Sequence, residues 1–282
     1  MLNYVKTGIL LVVLTMLLIW IGDMIGGPRG ALIAFTIALL INGVSYWFSD
    51  KIVLAMYRAY EIPKDRFRHL YAMVNELAVR AGIPMPRLYM TDIGAANAFA
   101  TGRSPEHACV CLTRGILELL NENELKGVIA HEMGHIKNRD TLIMTVAAAI
   151  AGAVMMLANV IRWTAILGGG SRGGRNDSGN VLGLIALSII APIAALLIQL
   201  AISRSREYGA DAAGAKIAAE TRGLEHALEK LSMAARYHGF KANPETAHLF
   251  IVNPFKGNFI ANLFATHPPV SARIKRLQAI KV

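Results

Sequence analysis

Residues 128–163 read VIAHEMGHIKNRDTLIMTVAAAIAGAVMMLANVIRW, and this run sets two demands on the rest of the chain. Its first part places His131 and His135 four residues apart, with Glu132 beside the first. On a helix, residues four apart share a face. Both imidazoles can therefore reach one metal ion, with the glutamate placed to handle a water there. Upstream, Asn121 is a suitable N-cap, and Glu124 three residues on completes a capping-box pattern. The remainder, Leu142 to Trp163, is apolar over about the ~17–25 residues that a bilayer-crossing helix needs. A helix bearing metal ligands thus runs into a segment suited to lipid.

Three other runs have the same apolar character: Val5 to Ile21, Ala31 to Phe48, and Val181 to Ile202. They explain why 54% of the 282 residues are hydrophobic and only 17% charged, against about a quarter charged in soluble domains. Buried core helices rarely need four runs of this length with no charge except Lys6 and Arg162 beside their ends. A cleaved signal peptide is a poorer reading of the first run, because no A-x-A-like site follows and the second run begins soon after. Trp20 and Tyr46-Trp47-Phe48 stand at segment ends, where amphipathic rings favour the interface. The expected fold is a predominantly α integral membrane protein. It has four transmembrane helices plus a cytoplasmic α+β domain with a small sheet.

The net charge of +10 admits nucleic acid as a partner, but its distribution argues against it. Lys51, Arg58, Lys64, Arg66 and Arg68 follow the second span, Lys137 and Arg139 precede the third, and Arg204 and Arg206 follow the fourth. By the positive-inside rule, both polar blocks lie in the cytoplasm of a multi-pass plasma (inner) membrane protein. Arg172 and Arg175 run against that pattern. The expected division is a membrane hairpin at 1–49, a polar block at 50–141, a second apolar pair at 142–202 and a polar block at 203–282. The second pair either crosses the bilayer or dips into it. Its Gly-rich connection, 168–180, lacks the Gly-Lys-Ser/Thr of a phosphate loop.

Within the polar blocks, PRLYMTD, NAFATG and ACVCLT read as short strands separated by turn residues. Helices are expected over Lys64 to Ala81, stopping at Gly82, over Gly115 to Leu120, over Leu224 to Tyr237, and from the prolines of THPPVSARIKRLQAI. Cys109 and Cys111 alternate along a strand and read as buried thiols, neither a disulfide nor metal ligands.

A hydrolytic metal site needs a third protein ligand, and REYGADAAGA supplies one. Glu207 can complete a His₂Glu set with one position left open. Asp211, four residues on, can hold the second nitrogen of a ligating histidine. Alone, an E-x-x-x-D pair is usually a solvated helix face; joined to H-E-x-x-H it becomes specific. Two expected spans separate these ligands from His131 and His135, so both sets reach the same side of the membrane. About seven residues, roughly 10 Å of helix, lie between His135 and the third span.

Taken in order, NAFATG, HEMGHIKNRD, SRSREYGADAAGA and THPPVSARI resemble the HtpX family of membrane-bound zinc metallopeptidases, gluzincins related to the CAAX prenyl protease. The resemblance covers nearly the whole chain. The seven-span prenyl protease branch fits less well, because four spans are counted here. It implies an endopeptidase holding one Zn²⁺ per chain, with Glu132 as general base. Its substrates would be membrane or misfolded polypeptides, in stress-induced quality control, with self-cleavage. The lipid bilayer is the expected partner, and nucleic acid is not. It also implies His267 as the group that stabilises the developing oxyanion, with Tyr208 and Arg273 as alternatives. Asn97 and Ala98 would lie on an edge strand that pairs with an extended substrate, and Arg139 and Asp140 would brace the metal helix. A non-catalytic scaffold with a structural metal would not need Glu132, and structural zinc usually has all four positions closed by Cys or His. A transporter would carry ionisable groups inside its spans, where this chain, apart from Lys6 and Arg162 beside the span ends, has only Asn42, Gln199 and some Ser and Thr.

Overall fold

The computed structural model describes residues 2–146, 204–237, 251 and 268–282. His267, the Gly-rich connection and nearly all of the second apolar pair lie outside the described residues. What is described is mostly helical with one small mixed sheet.

Helix α1 covers Leu2–Met56, yet it is not a straight rod. The Asn42 amide donates to Thr15 Oγ1 at 2.8 Å, whereas 27 residues of unbroken helix would separate them by about 40 Å. The chain turns back at Gly27, which has φ +58, and Pro28 opens the second arm. The arms meet closely, since a Cβ on Gly30 would strike the Gly22 carbonyl. Among the described residues one segment, Gly27–Met56, is long and apolar enough to cross a membrane. Four spans were expected from the sequence; two of those runs fall outside the described residues.

Beyond α1 the chain builds the polar block. Strand β1 (Tyr60–Glu61), helix α2 (Arg68–Ala81), strands β2 (Arg87–Thr91), β3 (Ala98–Thr101) and β4 (Cys109–Thr113), and helices α3 (Arg114–Leu119) and α4 (Glu122–Lys137) follow in order. Helix α2 buries Leu70, Met73, Val74 and Leu77, the helical spacing read from sequence, and stops at left-handed Gly82. The sheet order is β1-β2-β4-β3, with β2 parallel to β4 and β3 antiparallel to it. Strand β3 is therefore an edge.

Helix α4 starts where the sequence indicates. Asn121 Oδ1 accepts from the Glu124 N–H at 3.0 Å, and Glu124 Oε2 accepts from the Asn121 N–H at 2.9 Å. Residues 141–146 are again helical. Helices α5 (Arg204–Ala218), α6 (Arg222–Tyr237) and α7 (Val270–Gln278) complete the described chain. Helix α4 packs on α5, α6 and the inner face of the sheet, and Val128, Ile129, Met133 and Ile136 join the main core. Val53, Leu54 and Tyr57, at the end of α1, pack with Phe99, Cys109 and Cys111. This second cluster ties the membrane-capable arm to the sheet. Both cysteines are free and buried.

Candidate metal centre

The glycines of α4 and α5 let the two helices approach at backbone distance. A Cβ at Gly214 would lie 2.9 Å from His131 N and Cα, and one at Gly134 would lie 2.8 Å from the Ala210 carbonyl oxygen. That approach carries Glu207 to the histidines. His131, His135 and Glu207 are all buried, and one ligand atom of each lies within 4.8 Å of the others.

The two rings are oriented alike, as a metal would require. His131 Nδ1 meets Asp211 Oδ1 at 2.9 Å, and His135 Nδ1 meets Asp140 Oδ2 at 3.2 Å. Both Nε2 atoms face Glu207, 3.8 Å from Oε2 for His131 and 3.5 Å from Oε1 for His135, and Arg273 Nη2 also lies 3.3 Å from the His131 Nε2. Zinc bonds of ~2.0–2.2 Å in a tetrahedron set ligand atoms about 3.4 Å apart, so the donor set fits a zinc-sized ion with little adjustment.

Asp140 reaches His135 through a helix stop. Its N–H bonds the His135 carbonyl at 2.9 Å, and the Arg139 N–H bonds the Ile136 carbonyl at 3.0 Å, with Arg139 at φ +58. This is a Schellman closure with arginine where glycine is usual. Asp211 is held from the other side by Arg273 of α7, which donates from Nε at 2.9 Å and from Nη2 at 2.7 Å. Arg273 is fully buried, donates from Nη1 to the Ile251 carbonyl at 2.9 Å and lies 3.5 Å from Glu207 Oε2. These bonds commit Arg273 to bracing the carboxylates. Tyr208 carries the Arg276 guanidinium over its ring at 3.7 Å.

Electrostatics follow the packing. Burial alone would lower the His135 imidazole, but its hydrogen bonds to Asp140 and Glu207 and the charges of Glu207 and Glu132 lift it to about 10. Burial would raise Asp211, but the Arg273 charge and the bond to His131 hold it at about 2. Burial raises Glu132, the histidine charges opposing it only in part. Glu132 Oε2 accepts the Ala100 N–H at 2.7 Å. Strand alternation then turns the backbone groups of Ala98 and Ala100 away from β4, on the edge of β3 that no described strand pairs with, although both residues are buried. Asn97 differs. Its N–H and C=O both bond Thr113, and its side-chain oxygen accepts from the Ile251 N–H at 3.0 Å.

The model of peptidase family M48 matches residues 64–281. A Protease HtpX homolog of Pyrococcus furiosus is 54% identical over 98% of this chain and 96% of its own length. One of Syntrophobacter fumaroxidans is 52% identical over 98% of each. The chain is an HtpX-type member of peptidase family M48. Among solved structures, Ste24p of S. mikatae matches with a TM-score of 0.46 at 18% identity, covering 92% of this chain and 66% of that one.

As an M48 metallopeptidase, the chain brings together His131, Glu132, His135, Glu207 and Asp211, all singled out from the sequence. Ala98 lies on the neighbouring edge strand. Sequence reading passed over Asp140 as a histidine partner and Arg273 as a brace. The left-handed stop that folds Asp140 back carries no glycine to signal it. An arginine within VSARIKRLQ looks solvent-facing, because arginine is mostly exposed in proteins.

Proposed function

We propose that this metallopeptidase is a zinc endopeptidase that cleaves cytoplasm-facing segments of membrane or misfolded polypeptides at the bilayer surface. The observation that carries the reading is the convergence of two histidine Nε2 atoms on Glu207, with Glu132 bonded to the outward N–H of the sheet's edge strand. Zinc held by His131, His135 and Glu207 would supply Lewis acidity, making water nucleophilic near pH 7.

The chain's own groups do the rest. Glu132 takes the proton of the attacking water and returns it to the leaving amine. Burial, which raises its pKa, suits a carboxyl that must hold a proton between those steps. An extended substrate pairs with β3 through the outward carbonyls of Ala98 and Ala100, the Ala100 N–H being held by Glu132. Asn97 keeps that edge in place through Thr113 and Ile251. His267 donates to the oxyanion, a role that rests on the H-P-P resemblance alone. Asp211 and Asp140 hold the histidine tautomers. The apolar exposure along the second arm of α1, with Leu32, Leu40 and Trp47 each more than half exposed, supports a bilayer around it. Quality control with self-cleavage is the biological role we assign.

The test compares wild type with Glu132→Gln in detergent, reading zinc content and cleavage of casein or of the chain itself. Wild type should hold about one zinc and cleave, and the variant should keep its zinc and lose roughly 10²–10⁴-fold in rate. If both hold zinc and neither cleaves any chain, the scaffold reading replaces this one.

A further inference from the structure

A cluster at the end of α1 is used by nothing above. Trp47, Phe48, Asp50 and Lys51 meet Arg87 of β2 and Arg103, just past β3, around a cleft of about 460 Å³. That is within the size range of ligand pockets. The Arg103 guanidinium stands over the Trp47 ring at 5.0 Å and donates to the Trp47 carbonyl at 3.3 Å. The Lys51 ammonium lies 5.4 Å from the Phe48 ring centre.

The charges do not cancel. Arg87 is paired with Asp50 at 2.9 Å. Glu106, exposed on the rim, already faces the charges of Arg139 and His107. Among the described residues, neither Lys51 nor Arg103 has a carboxylate within ion-pair distance. Two cations thus share a cleft whose other wall is the exposed rings of Trp47 and Phe48, 58% and 48% accessible. A soluble anion would need the cations but not that apolar wall; a lipid headgroup meets both.

We propose that this cleft binds the headgroup of an anionic phospholipid, its phosphate between Lys51 and Arg103 and its glycerol backbone against Trp47 and Phe48. The assignment rests on reading the second arm of α1 as membrane-spanning. It has a consequence for the peptidase. Arg103 follows Gly102, whose N–H bonds Thr145 Oγ1 at 3.3 Å, and Ala100 beyond it bonds Glu132. A bound headgroup therefore pins the end of the substrate-pairing strand to the membrane surface.

The test uses the full zinc-loaded chain with Trp20→Phe and Trp163→Phe, leaving Trp47 as the sole tryptophan, in lipid nanodiscs. Quenching of Trp47 is compared between phosphatidylglycerol and phosphatidylcholine, each brominated on its acyl chains, at equal mole fraction. Preferential quenching by phosphatidylglycerol is expected, falling about fivefold with Lys51→Gln and again with Arg103→Gln. Unchanged zinc content in the variants reports an intact fold. Equal quenching by the two lipids overturns the proposal, and so does a preference that survives the double variant. Loss of the preference in inorganic phosphate, but not in chloride of equal ionic strength, assigns the cleft to a soluble phosphate and overturns the lipid. No quenching by either lipid removes the membrane reading of α1 itself.

Discussion

At the two histidines, the arrangement of a metal site rests on the carboxylates behind them. Asp211 and Asp140 take the Nδ1 atoms and so turn both Nε2 atoms toward Glu207. Asp211→Asn and Asp140→Asn should each weaken zinc binding about 10–100-fold, read by competition with a chromophoric chelator; unchanged affinity in both would remove the orienting role. Asp211→Asn should also lower thermal stability, because it leaves the buried Arg273 without its anion, and breaking such a pair costs about 3–5 kcal/mol. The His135 pKa gives a pH prediction. Its folded value of about 10 stands above the ordinary 6.5. In the metal-free protein its protonation is therefore fully stabilising below pH 6.5, and that stability is lost as pH rises through about 10. Zinc needs the neutral imidazole, so binding at pH 8 must expel a proton. Calorimetry in buffers of different ionisation enthalpy should show about one proton released per zinc, and zero release would place the proton elsewhere.

Between elements, the α4–α5 crossing fixes the site, and two glycines of α5 separate packing from propensity. A Cβ at Gly214 would press on the backbone of His131, which cannot swing away, whereas one at Gly209 would reach only Asn138 Nδ2 at 3.8 Å. Gly214→Ala should destabilise the zinc-loaded chain by about 1–3 kcal/mol and weaken zinc binding. Gly209→Ala should be neutral or slightly stabilising, since alanine favours helix by up to ~1 kcal/mol. Denaturant unfolding of both variants checks this, and equal effects would defeat the close-packing account. The same crossing shows what sequence patterns can and cannot carry. Helix α4 was legible because its cap and its ligand pair are both local, and β2, β3 and β4 were legible from their bounded apolar runs. Strand β1 was not, because two exposed residues, Tyr60 and Glu61, have no periodicity to read. Arg273 acts through residues far away in sequence, among them Asp211 and His131 at 62 and 142 positions, and no local pattern encodes such contacts.

Across the whole molecule, the site must sit on the basic side of the membrane if the charge distribution sets the orientation. The segment Gly27–Met56 has 30 residues, about 45 Å of helix against a hydrocarbon core of ~30 Å, so its final turns can stand clear of lipid. There Val53, Leu54 and Tyr57 enter the core shared with Phe99 and the two cysteines. Those cysteines make the orientation easy to measure. Burial pushes Cys109 up to about 11 and Cys111 to about 12, and a buried, protonated thiol is a poor nucleophile. Background labelling should therefore be low. New cysteines at exposed Arg29, next to the α1 turn, and at Val79, 73% accessible on α2, can then be probed with a membrane-impermeant maleimide on intact cells. Arg29→Cys should label from outside and Val79→Cys only after permeabilisation. The reverse pattern would put the peptidase site outside the cell. Labelling of both without permeabilisation would mean that the turn and the metal-bearing block share one side, and that α1 does not carry the chain across as a hairpin with both ends inside.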